Sequence, residues 1–181
     1  MPCLFQRDFT NKRNPVLLES VTPGCEWVIN GEGVATRKWD GTAVLVLGGQ
    51  AYARLDCKSG KTPPEEAIPC DPAPDPVTGH WPHWIKAGRP EDKWIRDAFE
   101  RSGTLADGTY EAVGPKIGSN HECLAEHRLY RHGDVELTAP RTFAGLREYL
   151  SGFMGEGIVF HHPDGRMCKI RRDDFGYRWP L

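Results

Sequence analysis

Between two strand-like runs, the sequence places a lysine two residues before an aspartate and a glycine, in the stretch Arg37-Lys38-Trp39-Asp40-Gly41. A lysine amine attacks phosphorus well only when it is deprotonated and held in line with a leaving group, so cations or partial burial must lower its pKa. If the backbone is extended here, Asp40 projects to the same side as Lys38 and can orient the amine or a metal ion. The pattern predicts a nucleophilic lysine, although alone it is more typical of a surface turn.

Two predicted strands, residues 33–36 and 42–47, flank this motif, so Lys38 lies in the turn between them. A glycine pair ends the second strand, and residues 51–55 complete a hairpin. Arg54 therefore lies near the end of a strand.

A second hairpin is predicted near the end of the chain, where residues 157–160 and 167–171 flank a Pro-Asp-Gly turn. Glu156 opens its first strand. Lys169 and Arg171 are two residues apart on the second strand and therefore share a face. One turn brings a carboxylate close to two cations.

Four cations fall within seven residues of this hairpin, at Arg166, Lys169, Arg171 and Arg172. So many positive charges in a short segment are more than a solvent-exposed strand face usually carries. We expect Arg166 and Arg172 to contact a nucleic-acid phosphate backbone.

The remaining elements follow shorter patterns. Residues 109–113 predict a strand that carries Glu111. The other predictions are a strand-like run at Trp27-Val28-Ile29, a long loop at 58–88 with packed tryptophans, a helix from Pro90 to Arg101, a strand at 127–130, and a helix at 143–151 that Thr142 caps and Gly152 ends.

Composition limits the class of protein. The chain has 181 residues, of which 39% are hydrophobic and 27% charged, which indicates one globular domain over residues 1–181. The formal net charge of -2 means that any nucleic-acid contact must come from a local basic patch. Six scattered cysteines, no bilayer-length apolar run and no export signal predict reduced thiols in a cytoplasmic protein with no membrane partner. We also expect a monomer.

The chemistry that uses the lysine, the cations and the carboxylates together is nucleotidyl transfer through a lysyl-AMP intermediate. In order and sequence, these motifs resemble the covalent nucleotidyltransferase superfamily of polynucleotide ligases and capping enzymes. The matching motifs are Lys38-Trp39-Asp40-Gly41, Arg54, Tyr110-Glu111, Glu156-Gly157-Ile158-Val159-Phe160 and Lys169-Ile170-Arg171.

More narrowly, the chain is similar to the small stand-alone ATP-dependent 5′–3′ RNA ligases. The stretches Asp75–Pro82 and Val113–Lys116 add to this similarity, which covers about residues 30 to 172. The resemblance implies an α+β fold, namely a nucleotidyltransferase (ATP-grasp-like) domain of twisted antiparallel sheets with flanking helices. Only ten residues follow Arg171, so we expect no OB-fold domain.

The resemblance also implies a role for each matching residue. The implied cofactors are ATP and Mg²⁺ or Mn²⁺, and the implied partner is RNA with 5′-phosphate and 3′-hydroxyl ends, as in RNA repair. Lys38 would carry AMP, and backbone groups near Thr36 and Arg37 would select adenine. Arg54 would lie near the nucleotide or the 3′-hydroxyl, and Lys169 and Arg171 would bind the α-phosphate. Glu111 and Glu156 would contact the ribose and, together with Asp40, the metal.

Several alternatives stay open at this point. Arg171 stands where many relatives have a second lysine, which keeps the charge but changes the geometry. DNA ligation, GTP-dependent capping and a catalytically inactive nucleic-acid-binding module are the competing functions. The sequence does not decide between RNA and DNA, or between single strands and nicks.

Overall fold

Antiparallel strands with a few helices make up the computed structural model, which describes residues 1–11, 15–57, 60–75 and 79–178. In chain order the strands are β1 (Phe5–Asp8), β2 (Val16–Val21), β3 (Val34–Lys38), β4 (Thr42–Leu47), β5 (Gln50–Cys57), β6 (Ile68–Pro69), β7 (Trp81–Lys86), β8 (Gly108–Val113), β9 (Arg128–Arg131), β10 (Glu136–Leu137), β11 (Gly157–His161) and β12 (Met167–Arg171). The α-helices are α1 (Glu26–Ile29), α2 (Lys93–Arg101) and α3 (Phe143–Gly152), and 3₁₀ turns cover Pro90–Asp92 and Asp173–Phe175. The α+β class predicted from the sequence agrees with this architecture.

Contacts divide the chain into two compact units, residues 1–39 with 133–181 and residues 40–132. Each unit has its own hydrophobic core. The sequence predicted one domain over residues 1–181, and it contained no signal for this internal division. None of the described helices could span a bilayer, since α3, the longest, has ten residues.

The first unit contains a four-stranded sheet in the order β10-β3-β11-β12 and a small sheet formed by β1 and β2. One face of the larger sheet is apolar and packs on α3. The buried side chains of this core include Ala35, Leu146, Leu150, Ile158, Phe160, Cys168 and Ile170. Alternation along the strands therefore turns the residues between these positions to the other face.

The second unit contains a six-stranded sheet in the order β6-β7-β5-β4-β8-β9. Helix α2 covers one face, where Ile95 and Ala98 pack on the buried strand residues. Gly48 and Gly49 both have positive φ values and form the two-residue turn between β4 and β5. Only the primed turn types fit such a hairpin well, which explains the glycine pair.

Most elements that carry predicted site residues agree with the sequence patterns. The hairpin of β11 and β12 forms in register from Gly157 opposite Arg171 to His161 opposite Met167. Thr142 caps α3 by accepting the N–H of Gly145 at 3.2 Å.

Three predictions of local structure were wrong. Lys38 was predicted in the turn after its strand, but it is the last residue of β3 and pairs with Gly157 of β11. The run Trp27-Val28-Ile29 lies in α1 and not in a strand, because Trp27 and Val28 enter the core from a helical turn that Gly31 ends with a φ of 90°. Part of the predicted loop at 58–88 is strand β7, which pairs along the length of β5. Residues 76–78, part of the Asp75–Pro82 stretch, lie outside the described residues.

Candidate active site

Three cations lie on one face of the sheet in the first unit. Gly157 of β11 is opposite Lys38 of β3 on one side and opposite Arg171 of β12 on the other. Val159 is likewise opposite Lys169. Directly opposite residues share a face, and two strand spacings separate the backbones of Lys38 and Arg171 by about 10 Å. Long side chains from these positions can meet a phosphate group between them.

Gly157 keeps the middle of this row free of a side chain. A Cβ atom there would lie 2.3 Å from the carbonyl oxygen of Ile170 and 2.7 Å from the Cα of Arg171. No other residue fits without moving β12. The glycine therefore both lets the strands approach and leaves the space between Lys38 and Arg171 open.

Glu156 holds the candidate nucleophile. The Nζ of Lys38 donates to Oε2 of Glu156, and the two side chains are 19% and 16% exposed. The carbonyl of Glu156 accepts the N–H of Arg172 at 3.0 Å, which extends the β-ladder by one residue and fixes the carboxylate beside the lysine.

The cations destabilise one another in this cluster. Burial, followed by the charges of Lys38 and Arg171, lowers the pKa of Lys169, while the Glu156 charge opposes the shift. Among the described residues, the buried Nε–H of Arg171 has no hydrogen-bond partner. A bound anion would relieve the repulsion and could accept this hydrogen bond.

Thr36 and Arg37, which the sequence places near the adenine, form hydrogen bonds and contacts within the first unit. Thr36 is buried, and its hydroxyl donates to the carbonyl of Val159 at 3.2 Å. The N–H of Arg37 donates to the carbonyl of Val135 at 2.8 Å, and its guanidinium lies over the Trp39 ring at 4.5 Å. The interior position of β3 in the sheet therefore occupies these donors, and adenine selection by backbone groups near Thr36 and Arg37 stays a prediction.

Arg172 is buried, with 7% of its surface exposed. Its Nη1 donates to the carbonyls of Leu150 at 2.5 Å and Phe153 at 2.6 Å, and its Nη2 donates to that of Arg178 at 3.0 Å. Leu150 lies in the last turn of α3, where the regular i→i+4 donors are missing, and its carbonyl also accepts the N–H of Phe153 at 3.4 Å. Arg172 therefore closes a helix end, and the RNA contact predicted for it does not fit a buried side chain.

Arg166 is exposed and lies at the end of the hairpin turn. Its Nε donates to Oδ2 of Asp164 at 2.8 Å. The backbone N–H of Arg166, followed by its side chain, lowers the pKa of Asp164 to about 2. The nucleic-acid contact predicted for Arg166 stays a prediction.

Asp40 departs from the geometry expected of the lysine motif. Strand β3 ends at Lys38, so alternation along an extended backbone does not reach Asp40. Its Oδ2 instead lies 2.6 Å from Nδ1 of His121, within the second unit. No sequence pattern indicated His121, because it follows Asp40 by 81 positions and lies in no regular element.

Arg54 and Glu111 share one face of the six-stranded sheet. Val44 of β4 is opposite Ala53 and Tyr110, and all three are buried in the core against α2. The next residues along β5 and β8, Arg54 and Glu111, therefore point to the opposite face.

Both side chains on this face have partners. Oε2 of Glu111 lies 2.8 Å from Nε2 of His132. The Arg54 guanidinium is 3.0 Å from Asp56, and its side chain is 44% exposed. His132 was not predicted from the sequence, where it follows the strand at 127–130 without a recognisable pattern.

Asp40, Glu111 and Glu156 are the carboxylates that the sequence predicts as metal ligands. In the parts of the chain that the structure describes, no three His, Cys, Asp or Glu side chains are grouped to hold a metal ion. Magnesium usually takes one or two carboxylates and completes its coordination with water and substrate phosphates. Glu156, beside the candidate nucleophile, fits an ion that arrives with a nucleotide.

Comparisons with known proteins give no family assignment, since neither a protein-family model nor a curated protein sequence matches the chain. The assignment of a function therefore depends on the geometry around Lys38. Of the residues predicted from the sequence, the first unit brings together Lys38, Glu156, Lys169 and Arg171.

Proposed function

We propose that this protein transfers a nucleotide through a covalent bond to Lys38, as the first stage of ATP-dependent RNA strand joining. The row Lys38–Gly157–Arg171, with Lys169 on the same face, is the observation that most supports the proposal. A positioned amine, cations within reach of a phosphate and a carboxylate beside the amine are the groups that phosphoryl transfer to nitrogen uses. The antiparallel α+β architecture is compatible with the nucleotidyltransferase (ATP-grasp-like) fold that the sequence resemblance implies.

In the first step, the amine of Lys38 attacks the α-phosphorus of ATP. A P–N bond forms, the bond to the oxygen that bridges the α- and β-phosphates breaks, and pyrophosphate leaves with the electron pair. The amine gives its proton to solvent. Lys169 and Arg171 stabilise the charge that develops on the α-phosphate oxygens, and Glu156 orients the lysine before attack.

A magnesium ion held by Glu156 and water would neutralise charge on the triphosphate. The metal, ribose and 3′-hydroxyl roles that the resemblance implies for Asp40, Glu111 and Arg54 stay predictions. Manganese offers the same oxygen-coordination chemistry.

The later steps consume the adduct. A 5′-phosphate oxygen of RNA attacks the phosphorus of lysyl-AMP and forms a P–O–P linkage to AMP, while the P–N bond breaks and the Lys38 nitrogen leaves with the electron pair and takes a proton from solvent. A 3′-hydroxyl then attacks the phosphorus of that RNA 5′-phosphate and gives its proton to solvent, a phosphodiester forms, and AMP leaves with the electron pair of the P–O bond that joined it to the RNA.

Incubation with ATP and magnesium tests the first step. We expect the protein to gain the mass of one AMP on Lys38, and no GMP from GTP. Radiolabelled nucleotides on a denaturing gel and intact mass spectrometry measure the adduct. Labelling by GTP in preference to ATP would favour capping chemistry, and no labelling by either nucleotide would favour a binding module without catalysis.

Lys38→Ala should abolish the adduct and leave the fold intact, because the lysine side chain lies outside the hydrophobic core. Lys93→Ala, at the exposed start of α2, is the matched lysine control and should label normally. Labelling that persists in Lys38→Ala would place the nucleophile elsewhere.

Strand-joining assays distinguish the nucleic acid. The protein should seal 5′-phosphorylated RNA in the presence of ATP. Parallel reactions with DNA of the same sequence, as single strands and as nicks, test the ligase alternative. Sealing of DNA but not RNA would contradict the RNA assignment while leaving the lysyl-AMP step in place.

A further inference from the structure

Arg171 is held by a carboxylate to which the sequence motifs give no role. Asp174 lies in the 3₁₀ turn Asp173–Phe175, directly after β12. Its Oδ2 accepts the backbone N–H of Arg171 at 2.8 Å, and its Oδ1 accepts Nη2 of the same residue at 3.1 Å. Only 2% of the Asp174 side chain is exposed. One buried carboxylate thus fixes both the backbone and the guanidinium of Arg171.

A second arginine holds Asp174 from the other side. Nη2 of Arg7, on β1, also donates to Oδ1 of Asp174. The segment before β1 is bonded to β12, because the N–H of Leu4 donates to the carbonyl of Lys169 at 2.8 Å and the N–H of Lys169 donates to that of Pro2 at 3.0 Å. Two guanidinium groups compensate the burial of the Asp174 charge.

We propose that Asp174 is a positioning residue for AMP transfer to Lys38, since it holds the Arg171 guanidinium in the orientation that meets the α-phosphate. The inference rests on the proposed function and extends it beyond the motif residues. Although burial opposes the charge of Arg171, the hydrogen bond and the charge of Asp174 raise its pKa above the ordinary value.

The chain supplies a matched control next to Asp174. Asp173 is 81% exposed, and its carboxylate is 3.9 Å from Nη2 of Arg171, too far for a hydrogen bond. Asp173→Asn and Asp174→Asn remove the same charge from adjacent positions. A difference between the two variants therefore reports the contact and not the net charge.

Single-turnover labelling of Lys38 across a range of ATP concentrations is the test. Asp174→Asn should lower the maximal rate constant roughly tenfold, within the range for coupled neighbours. The ATP concentration at half-maximal rate should change less, because the lost interaction belongs to the transition state. Asp173→Asn should match the wild type, and equal rate constants in all three proteins would overturn the proposal.

A double-mutant cycle separates positioning from a general effect on the fold. If Asp174 acts through Arg171, Asp174→Asn should cause no further loss of rate in an Arg171→Ala background. Additive losses would overturn the proposal, because they would mean that Asp174 acts independently of Arg171. The rate constant is first order, so it does not depend on the fraction of protein that is folded.

Asp174→Glu serves if the asparagine variant does not fold. It keeps the charge between Arg7 and Arg171, but the longer side chain cannot hold both bonds to Arg171 at their present lengths. Its maximal rate should still fall, and a wild-type rate would overturn the inference. Failure of the wild-type protein to form any Lys38 adduct would instead refute the proposed function itself.

Discussion

Lys169 and Arg171 share a face with Lys38, and each should stabilise charge during transfer. Lys169→Ala and Arg171→Ala should each slow AMP transfer by roughly a hundredfold to a thousandfold, the usual cost of removing one such donor. Single-turnover rates measure the loss. Arg147→Ala, which removes an exposed arginine on α3, is the control and should react at the wild-type rate. A wild-type rate for either site variant would remove that residue from the phosphate contact.

The lowered pKa of Lys169 also makes stability depend on pH. Burial, then the charges of Lys38 and Arg171, disfavour its protonated form in the folded state, so the unfolded chain binds this proton more tightly. Stability therefore rises as pH increases through the folded-state pKa toward the ordinary value of 10.5. At lower pH, where both states are protonated, the full penalty is present.

Lys169→Gln removes this penalty. It should increase the free energy of unfolding near pH 7, and its advantage over the wild type should shrink toward pH 10 as the folded wild-type protein loses the proton. Urea unfolding at about these two pH values measures the difference. An advantage that grows with pH would contradict the sign of the shift. The same variant should be slow in AMP transfer, as expected of a site residue that costs stability.

The end of α3 depends on one side chain from a different element. Arg172→Ala would remove a charged donor from the carbonyls of Leu150 and the half-buried Phe153, although the Leu150 carbonyl keeps its bond to the N–H of Phe153. We expect a loss of about 2 to 3 kcal/mol in the free energy of unfolding, because a hydrogen bond to a charged group contributes about 1.5 to 3 kcal/mol. Chemical denaturation measures it, with the exposed Arg147→Ala as control. A change in RNA affinity without a change in stability would restore the contact predicted from the sequence.

Two glycines in the first unit should respond oppositely to alanine. Gly157→Ala forces a Cβ against β12, so it should destabilise the protein and impair AMP transfer. Gly152→Ala, at the end of α3, meets no atom within 4 Å and should raise stability by about 0.5 to 1 kcal/mol. Thermal unfolding of the two variants compares them directly. Equal effects would show that β11 can move away from β12.

Sequence patterns predicted elements well where the signal was local. The hairpin that carries Lys169 and Arg171 follows from alternation and a Pro-Asp-Gly turn, and the cap at Thr142 follows from residue type. Strand β7 was missed because Pro82 interrupts its pattern, and its pairing with β5 is not a local property.

Site residues divide in the same way. Alternation correctly turned Arg172 away from Lys169 and Arg171, but no local pattern showed that the end of α3 lies there. The pairing of β3 with β11, and with it the contact between Lys38 and Glu156, joins positions 118 residues apart. Asp173 and Asp174 are neighbouring residues of the same type, so the sequence does not show which of them is buried. The structure buries Asp174 and leaves Asp173 exposed.

All six cysteines of the whole chain are free, and their accessibilities differ. Cys123 is exposed, whereas burial raises the pKa of Cys70 to about 11 and also raises that of Cys168. Because the thiolate is the reactive form, Cys123 should react first with a thiol reagent in the native protein. The other thiols should react at a comparable rate only after denaturation. Cys123→Ser should remove the fast phase, and a fast phase that remains would show that one of the half-buried or buried thiols reacts in the native protein.

The row from Lys38 through Gly157 to Arg171 crosses three neighbouring strands, so the sheet itself fixes the separation of its two charged residues. Two strand spacings set the distance between its two ends. Replacing a side chain therefore changes the charge at a position but not the distance between the backbone positions. A one-residue deletion within β11 would move its remaining side chains to the opposite face of the sheet, and the row would no longer form. For protein engineering, a substrate with a larger anionic group requires more strands between the two charged residues. Cationic side chains of greater length at the same positions would still start from backbones at the same separation.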